Sequence, residues 1–387
     1  MQFAEVNGAT LRYREAGDRN GPAVIFANSL GTDLTIWDEV VARLPAGYRC
    51  IGFDKRGHGL SSMPMGAMSI ALYAADLLAL ADRLGVRSFV VCGVSIGGMI
   101  AQSAATQAPD RVRALVLCNT GAQIGPRQTW TDRIARIAAF GIDSIADLAL
   151  QRWFPPHYRE ANPAVLAGCR AMLTRTPAEG YAAACTAMRD ADLTEDTRRL
   201  SLPTLCIAGS DDLATPPSQL RTLADIIDGA RYHEIAGCGH LPPVQDPEAC
   251  AHAITAFLAS IEEQASYDRG MSVRRRVLGD AHVDRAGAVS TPVDMAFQQL
   301  ITEGAWGSVW SGRHLTLRER SIVTLALLAA AGQDEEVAMH LRATQNTGAS
   351  EQDVAEAMLH VAIYAGVPRA NTALKIAREV LAPREAE

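Results

Sequence analysis

No cysteine follows residue 250 in this 387-residue chain, and none of the eight before it stands in a C-x-x-C pair. Thiol redox chemistry, which needs reactive and resolving sulfurs, is therefore excluded from the last third. The eight cysteines, at positions 50, 92, 118, 169, 185, 206, 238 and 250, make no zinc or disulfide spacing. Those inside apolar runs read as small hydrophobes. Excess positive charge is also missing: a formal net charge of -7 argues against nucleic acid as a partner. A small anionic substrate stays compatible, because local arginines outweigh a diffuse negative field. The start, Met1-Gln-Phe-Ala-Glu-Val6, has no basic stretch leading into an apolar one, and no run reaches transmembrane length. The expectation is a cytoplasmic protein with no membrane partner. No internal repeat or low-complexity segment occurs. The composition is that of a globular protein, 48% hydrophobic, and the length suits two or three domains.

Residues 3–6 and 11–15 read as a hairpin turning at Asn7-Gly8. Short apolar runs at 23–27, 50–53, 89–92, 114–118, 205–208 and 232–235 then read as strands, with helices at 70–84 and 98–107 between some of them. Buried strands alternating with helices predict a mostly parallel sheet covered on both faces. The alternation stops over about 121–197, which is helical and carries Trp130, Trp153 and Phe154. That stretch reads as a lid. A second break is expected near 260–290, where residues 261–270 are polar and end in glycine. Beyond it the periodicity is helical throughout. Thr316-Leu-Arg-Glu319 is a capping box for a helix closed by Gly332, and Ser350-Glu-Gln-Asp353 opens another that ends near Gly366. We expect a sheet domain over 1–262 and an all-α domain of about five helices over 265–387.

Gly93-Val-Ser95-Ile-Gly97 sits between the run 89–92 and the helix at 98–107. Strand, sharp turn and helix are the setting of a nucleophile elbow, whose glycines leave room for a strained serine. A serine nucleophile needs a base, and the base an orienting acid, in the chain order Ser, Asp, His. Gly209-Ser-Asp-Asp212-Leu-Ala-Thr-Pro216 follows one strand and Gly237-Cys-Gly-His240 the last. Asp211 and Asp212 compete for the acid role, and the Gly-x-x-Asp-x-x-x-Pro arrangement favours Asp212. His58, in Asp54-Lys-Arg-Gly-His-Gly59, reads as structural, at the pocket rim. The oxyanion hole is assigned to the N–H groups of Ile96 and of Leu30, in the loop Asn28-Ser-Leu-Gly-Thr-Asp33.

That loop, the elbow, Asp54-Lys-Arg-Gly-His-Gly-Leu-Ser61, the segment around Trp130 and Arg152-Trp-Phe154 together resemble the 3-oxoadipate enol-lactonases of the α/β-hydrolase fold. The resemblance covers residues 1–260. It implies hydrolysis of a small anionic lactone under a helical lid, with Trp130 either walling the pocket or packing the lid.

In the remainder, Glu336 and His340 lie four apart on one predicted helix, a workable proton-transfer pair that spacing alone favours as a surface ion pair. Tyr267-Asp-Arg-Gly270, Arg276-Val-Leu-Gly-Asp-Ala-His-Val-Asp284, Ala305-Trp-Gly-Ser-Val-Trp310 and Val361-Ala-Ile-Tyr-Ala-Gly-Val-Pro368 resemble the 4-carboxymuconolactone decarboxylases, an all-α, AhpD-like family. That decarboxylation needs no cofactor and no metal. The resemblance implies His340 as proton donor, Glu336 as its orienting or electrostatic partner, and Arg320 and Arg342 as candidates for binding substrate carboxylates. Each arginine reads equally well as part of a solvated helix face.

Together the resemblances imply a fused enzyme running consecutive steps of the β-ketoadipate pathway, homo-oligomeric through its helical domain. Two rival readings are a general carboxylesterase with a helical oligomerisation tail and a ligand receptor on a hydrolase scaffold.

Overall fold

Asn7 and Gly8 both take positive φ, 49° and 71°, the geometry of a tight two-residue hairpin turn. They join β1 (Gln2–Val6) to β2 (Ala9–Gly17), which pair antiparallel. The computed structural model containing this hairpin describes residues 1–63, 66–288 and 291–382. It divides into two units, Met1–Ala259 and Ser260 onward.

In the first unit the remaining strands are β3 (Ala23–Ala27), β4 (Arg49–Phe53), β5 (Phe89–Val94), β6 (Val112–Cys118), β7 (Thr204–Gly209) and β8 (Arg231–Ile235). The sheet order is β1-β2-β4-β3-β5-β6-β7-β8, and every pairing from β4 to β8 is parallel. Central strands β3 and β5 are buried at every residue, as a parallel sheet covered on both faces demands. Helices Ile70–Arg83 and Ile96–Gln107 are among the covering layers. Between β6 and β7 the chain makes six helices from Arg127–Phe140 to Thr194–Arg198, the first of them packed on Ala178–Asp190. The loops after β3, β5, β7 and β8 all lie at the carboxyl ends of the strands, where open α/β sheets carry their sites.

The second unit is helical. Leu317–Ala331 starts at a capping box formed by Thr316 and Glu319 and stops at Gly332, φ 73°. Glu351–Tyr364 starts at the Ser350/Asp353 box. These helices, with Asp334–Thr347 and Val367–Leu381, enclose a core of Leu325, Val337, Leu341, Met358 and small alanines.

Two expectations change. The division into units at 259/260 falls within a helix and not in a loop: Pro247–Leu278 runs through the polar stretch 261–270. Gly270 stands inside that helix because a Cβ there would lie 2.0 Å from the carbonyl oxygen of Thr302. The glycine marks a close helix approach, which resembles a chain break in sequence. The second unit also has more than the expected five segments. Gly279, φ 84°, separates Asp280–Ala288, and a π-helical stretch, Thr302–Trp310, continues Pro292–Ile301. Among the described residues no helix is long and apolar enough to cross a membrane.

Candidate active sites

Ser95 joins β5 to the helix Ile96–Gln107 with φ 58° and ψ -119°, a strained conformation for a residue with a side chain. Its neighbours must be bare. A Cβ on Gly93 would lie 2.2 Å from the carbonyl oxygen of Gly97, and one on Gly97 2.2 Å from that of Ala27. The turn is held by the Ser95 N–H donating to Cys118 at 3.0 Å and by the Thr120 hydroxyl donating to the Ser95 carbonyl at 2.6 Å.

His240 and Asp212 come from the loops after β8 and β7. The imidazole Nδ1 donates to Asp212 Oδ2 at 2.8 Å, and both residues are buried. The other carboxylate oxygen accepts from the N–H groups of Ala214 and Thr215 at 2.7 and 3.1 Å. The Thr215 hydroxyl adds a 2.7 Å bond to Oδ2. Asp211 is exposed and bonds to Ser210, away from the imidazole. Asn119 ties the two loops together: its Nδ2 donates to Gly239 and its Oδ1 accepts from Gly209, both at 2.8 Å. Nothing in its local sequence marks that role, which depends on a side chain bridging two distant loops. Ser95 and His240 line one cavity without a direct hydrogen bond. The hydroxyl in reach of His240 Nε2 is that of Ser29, at 3.5 Å. Nucleophile-to-base bonds commonly tighten only around substrate.

The second loop of the cavity, after β3, is a type II turn. The Thr32 N–H reaches the Ser29 carbonyl at 3.4 Å, and Gly31 at the third position has φ 71°. Leu30 lines the cavity, and the N–H groups of Leu30 and Ile96 have no hydrogen-bond partner among the described residues. His58 is fully buried and outside the cavity lining, and its pKa is pushed well below the usual range by burial, then by Lys55.

The cavity measures about 150 Å³. Trp130 forms one wall, its Nε1 donating to the Ile124 carbonyl at 2.6 Å. Two half-buried cations, Arg133 and Arg152, also line it. Arg133 lies 5.1 Å over the Trp130 ring and donates to the Tyr181 hydroxyl at 3.4 Å. Arg152 is held by the carbonyls of Leu213 and Ala214 at 3.2 and 3.3 Å. Neither is in an ion pair among the described residues, so both remain available to an anion. Sequence reasoning passed over both as binding groups. The one available signal was their placement in an aromatic-rich lid.

In the second unit the π-helical turn sets Trp306 and Trp310 side by side, centroids 5.2 Å apart. His340 stacks on both, at 6.2 and 5.8 Å. Widened turns of this kind are frequent at functional sites. His340 is buried and its Nδ1 has no partner among the described residues. Burial, then the nearby His282, lowers its pKa to about 4. Glu336, expected to orient this imidazole, is exposed and makes no bond to it. Its helix turns that carboxylate to solvent, and the two tryptophans hold the ring instead. Arg320 donates to the Val309 carbonyl at 2.5 Å, and Arg342 is exposed.

Two further groups, neither singled out from sequence, belong to this cluster. Arg274 is buried, donates to Gln298 at 2.8 Å and to Thr302 at 3.4 Å, and keeps its Nε unpartnered. His282 has a pKa lowered by burial and by Arg285, Arg274 and Arg342, with Glu336 opposing.

Residues 22–141 match the alpha/beta hydrolase fold family, and residues 296–379 match the carboxymuconolactone decarboxylase family. The chain is 36% identical to 3-oxoadipate enol-lactonase 2 of Acinetobacter baylyi over 248 residues, 64% of this chain and 92% of that protein. It is 40% identical to the 4-carboxymuconolactone decarboxylase of the same organism over 120 residues, 31% of this chain and 90% of that protein. Among solved structures, the enol-lactonase from Burkholderia xenovorans LB400 superposes with a TM-score of 0.65 at 38% identity, covering 67% of this chain and 100% of that one.

Proposed function

The chain belongs to the α/β-hydrolase fold family through its first unit and to the carboxymuconolactone decarboxylase family through its second, and from that premise we propose how one bifunctional enzyme works. It decarboxylates 4-carboxymuconolactone to 3-oxoadipate enol-lactone and hydrolyses that lactone to 3-oxoadipate. These are consecutive steps of the β-ketoadipate pathway, with the domains in reverse order of use. We assign them residues 1–262, with the lid at about 121–197, and 265–387.

In the first domain His240 takes the Ser95 proton as Oγ attacks the lactone carbonyl, and Asp212 holds the imidazole in the required tautomer. The oxyanion is received by Leu30 and Ile96 N–H. Collapse breaks the ring C–O bond, and the enol oxygen leaves with the proton from His240. Water then releases the acyl group by the same route. Arg133 and Arg152 hold the substrate carboxylate, and Trp130 closes the pocket.

In the second domain the C–CO₂ bond breaks, and its electron pair moves through the double bond into the lactone carbonyl. The extended enolate is protonated at the carbon beside that carbonyl. His340, neutral near pH 7, donates its N–H to this enolate, in the way a neutral imidazole acts as electrophile elsewhere, and relays to the carbon a proton that it takes up in turn from solvent. Arg274 supplies positive charge and, with His282, hydrogen bonds to the substrate carboxylates, with Arg320 and Arg342 in supporting positions and Glu336 acting only through its field.

The observation carrying the reading is a single chain that joins a strained Ser95 in an arginine-lined cavity to a tryptophan-stacked His340. Exposed apolar residues Leu327, Leu359, Ile363 and Tyr364 on the second unit support homo-oligomerisation through it. The eight cysteines are unbridged, which suits a reducing compartment, the cytoplasm. The test is incubation of the protein with 4-carboxymuconolactone and identification of products by NMR. 3-Oxoadipate with carbon dioxide supports the reading. Enol-lactone accumulating alone, or no turnover, overturns one half or both.

A further inference from the structure

Lys55 is one of only two lysines in a chain of 36 basic residues. It is 1% exposed, and no carboxylate pairs with it among the described residues. Its ammonium donates instead to the carbonyl of Ser29, at 2.6 Å. An unpaired buried charge is costly and calls for a reason. Burial lowers its pKa to about 7, while the carboxylates of Asp54 and Asp33 favour the charged form.

The carbonyl it holds is half of a peptide group whose other half is the Leu30 N–H. No cis peptide occurs among the described residues, so that N–H points opposite to the Ser29 C=O. The carbonyl is anchored by three donors: Lys55 Nζ, the Thr32 hydroxyl at 3.0 Å and the Thr32 N–H at 3.4 Å. Leu30 itself lines the cavity beside Ser95 and His240. A cation on the oxygen end of a peptide withdraws electrons through the amide and strengthens its N–H as a donor. It also fixes the direction of that N–H before substrate arrives. A guanidinium, planar and bulkier, presents no comparable point charge to one carbonyl.

We propose that Lys55 is a positioning residue of the oxyanion hole, orienting and polarising the Leu30 N–H through the Ser29–Leu30 peptide. The inference rests on the lactonase reading of the first domain. It predicts that removing the charge weakens binding of the tetrahedral oxyanion while leaving ground-state binding nearly unchanged.

The test compares wild type with Lys55→Met in the full chain, each first shown folded by circular dichroism and thermal melting. Hydrolysis of 3-oxoadipate enol-lactone is measured for kcat and KM. Binding of phenylboronic acid, which forms a tetrahedral adduct on an activated serine, is measured in parallel. Loss of a whole oxyanion donor costs about 10²–10³ in kcat, so weakening one should cost about tenfold to a hundredfold. The expected result is that fall in kcat with KM little changed and a matching loss of boronate affinity. A folded variant with wild-type kcat and boronate affinity, or one altered only in KM, overturns the inference. If Lys55→Met does not fold, Thr32→Val removes another donor from the same carbonyl. A several-fold fall in kcat and boronate affinity is then expected, and unchanged values overturn the inference. A wild-type protein that binds boronate but leaves the enol-lactone untouched sinks the lactonase reading instead, and the boronate comparison still decides the role of Lys55.

Discussion

Asp212 accepts a 2.8 Å hydrogen bond from Nδ1 of His240 in a wall that excludes solvent from both. Asp211, one residue earlier, turns outward to Ser210. The difference follows from the turn after β7, in which the Ala214 and Thr215 amides gather on the second carboxylate only. Asp212→Asn should therefore lower enol-lactone kcat by about 10⁴, the cost of a mis-set imidazole in the reference triad. Asp211→Asn should leave it near wild type. Steady-state kinetics of the two variants decide the point, and sensitivity at Asp211 would reassign the acid.

Ser95→Ala should abolish lactone opening, leaving at most the residual about 10³–10⁴ over water that binding and the oxyanion hole supply. Carbon dioxide release from 4-carboxymuconolactone should continue at the wild-type rate, with enol-lactone accumulating. The check is an NMR time course of one reaction mixture. Loss of both activities together would show that the two chemistries share a site.

Arg133 and Arg152 face the cavity without carboxylate partners, so their charge is available to the substrate. A charge-assisted bond contributes about 1.5–3 kcal/mol, so replacing either by methionine should lower kcat/KM on the anionic lactone about tenfold to a hundredfold. Hydrolysis of p-nitrophenyl acetate, which has no carboxylate, should change little. Equal losses on both substrates would assign the arginines to lid packing instead.

What the sequence discloses about this protein is what depends on near neighbours. The Asn7-Gly8 turn, the Thr316/Glu319 box closed by Gly332 and the bare residues around Ser95 each follow from steric or hydrogen-bond rules within a few positions. Asn119 between two loops, Gly270 under the Thr302 carbonyl and Arg274 bonded to Gln298 and Thr302 depend on partners 24 to 120 residues away. No periodicity carries that information. Glu336 illustrates the converse: a spacing of four places it on the face of His340 by helix geometry, yet exposure and the stacked tryptophans leave it without a bond to the ring.

The last prediction concerns the charge of His340. Its folded pKa is lowered to about 4, first by burial and then by His282, so the imidazole is neutral across the physiological range. If the neutral ring is the working form, decarboxylation persists as pH falls through the ordinary histidine range and is lost only as pH approaches about 4. A ring required as imidazolium would give the opposite sign, with activity rising as pH drops toward that value. The profile of kcat/KM for carbon dioxide release is the right measure, because it reports ionisation in the free enzyme. His340→Ala should lower that rate by about 10²–10⁴, the usual contribution of a positioned acid, with lactone hydrolysis intact. Glu336→Gln should change it little, since no bond links that carboxylate to the ring. Activity that climbs steadily from pH 7 to pH 5 would contradict the neutral-donor role and return the proton to a charged group, with His282, beside Arg274 and Arg342, next in line.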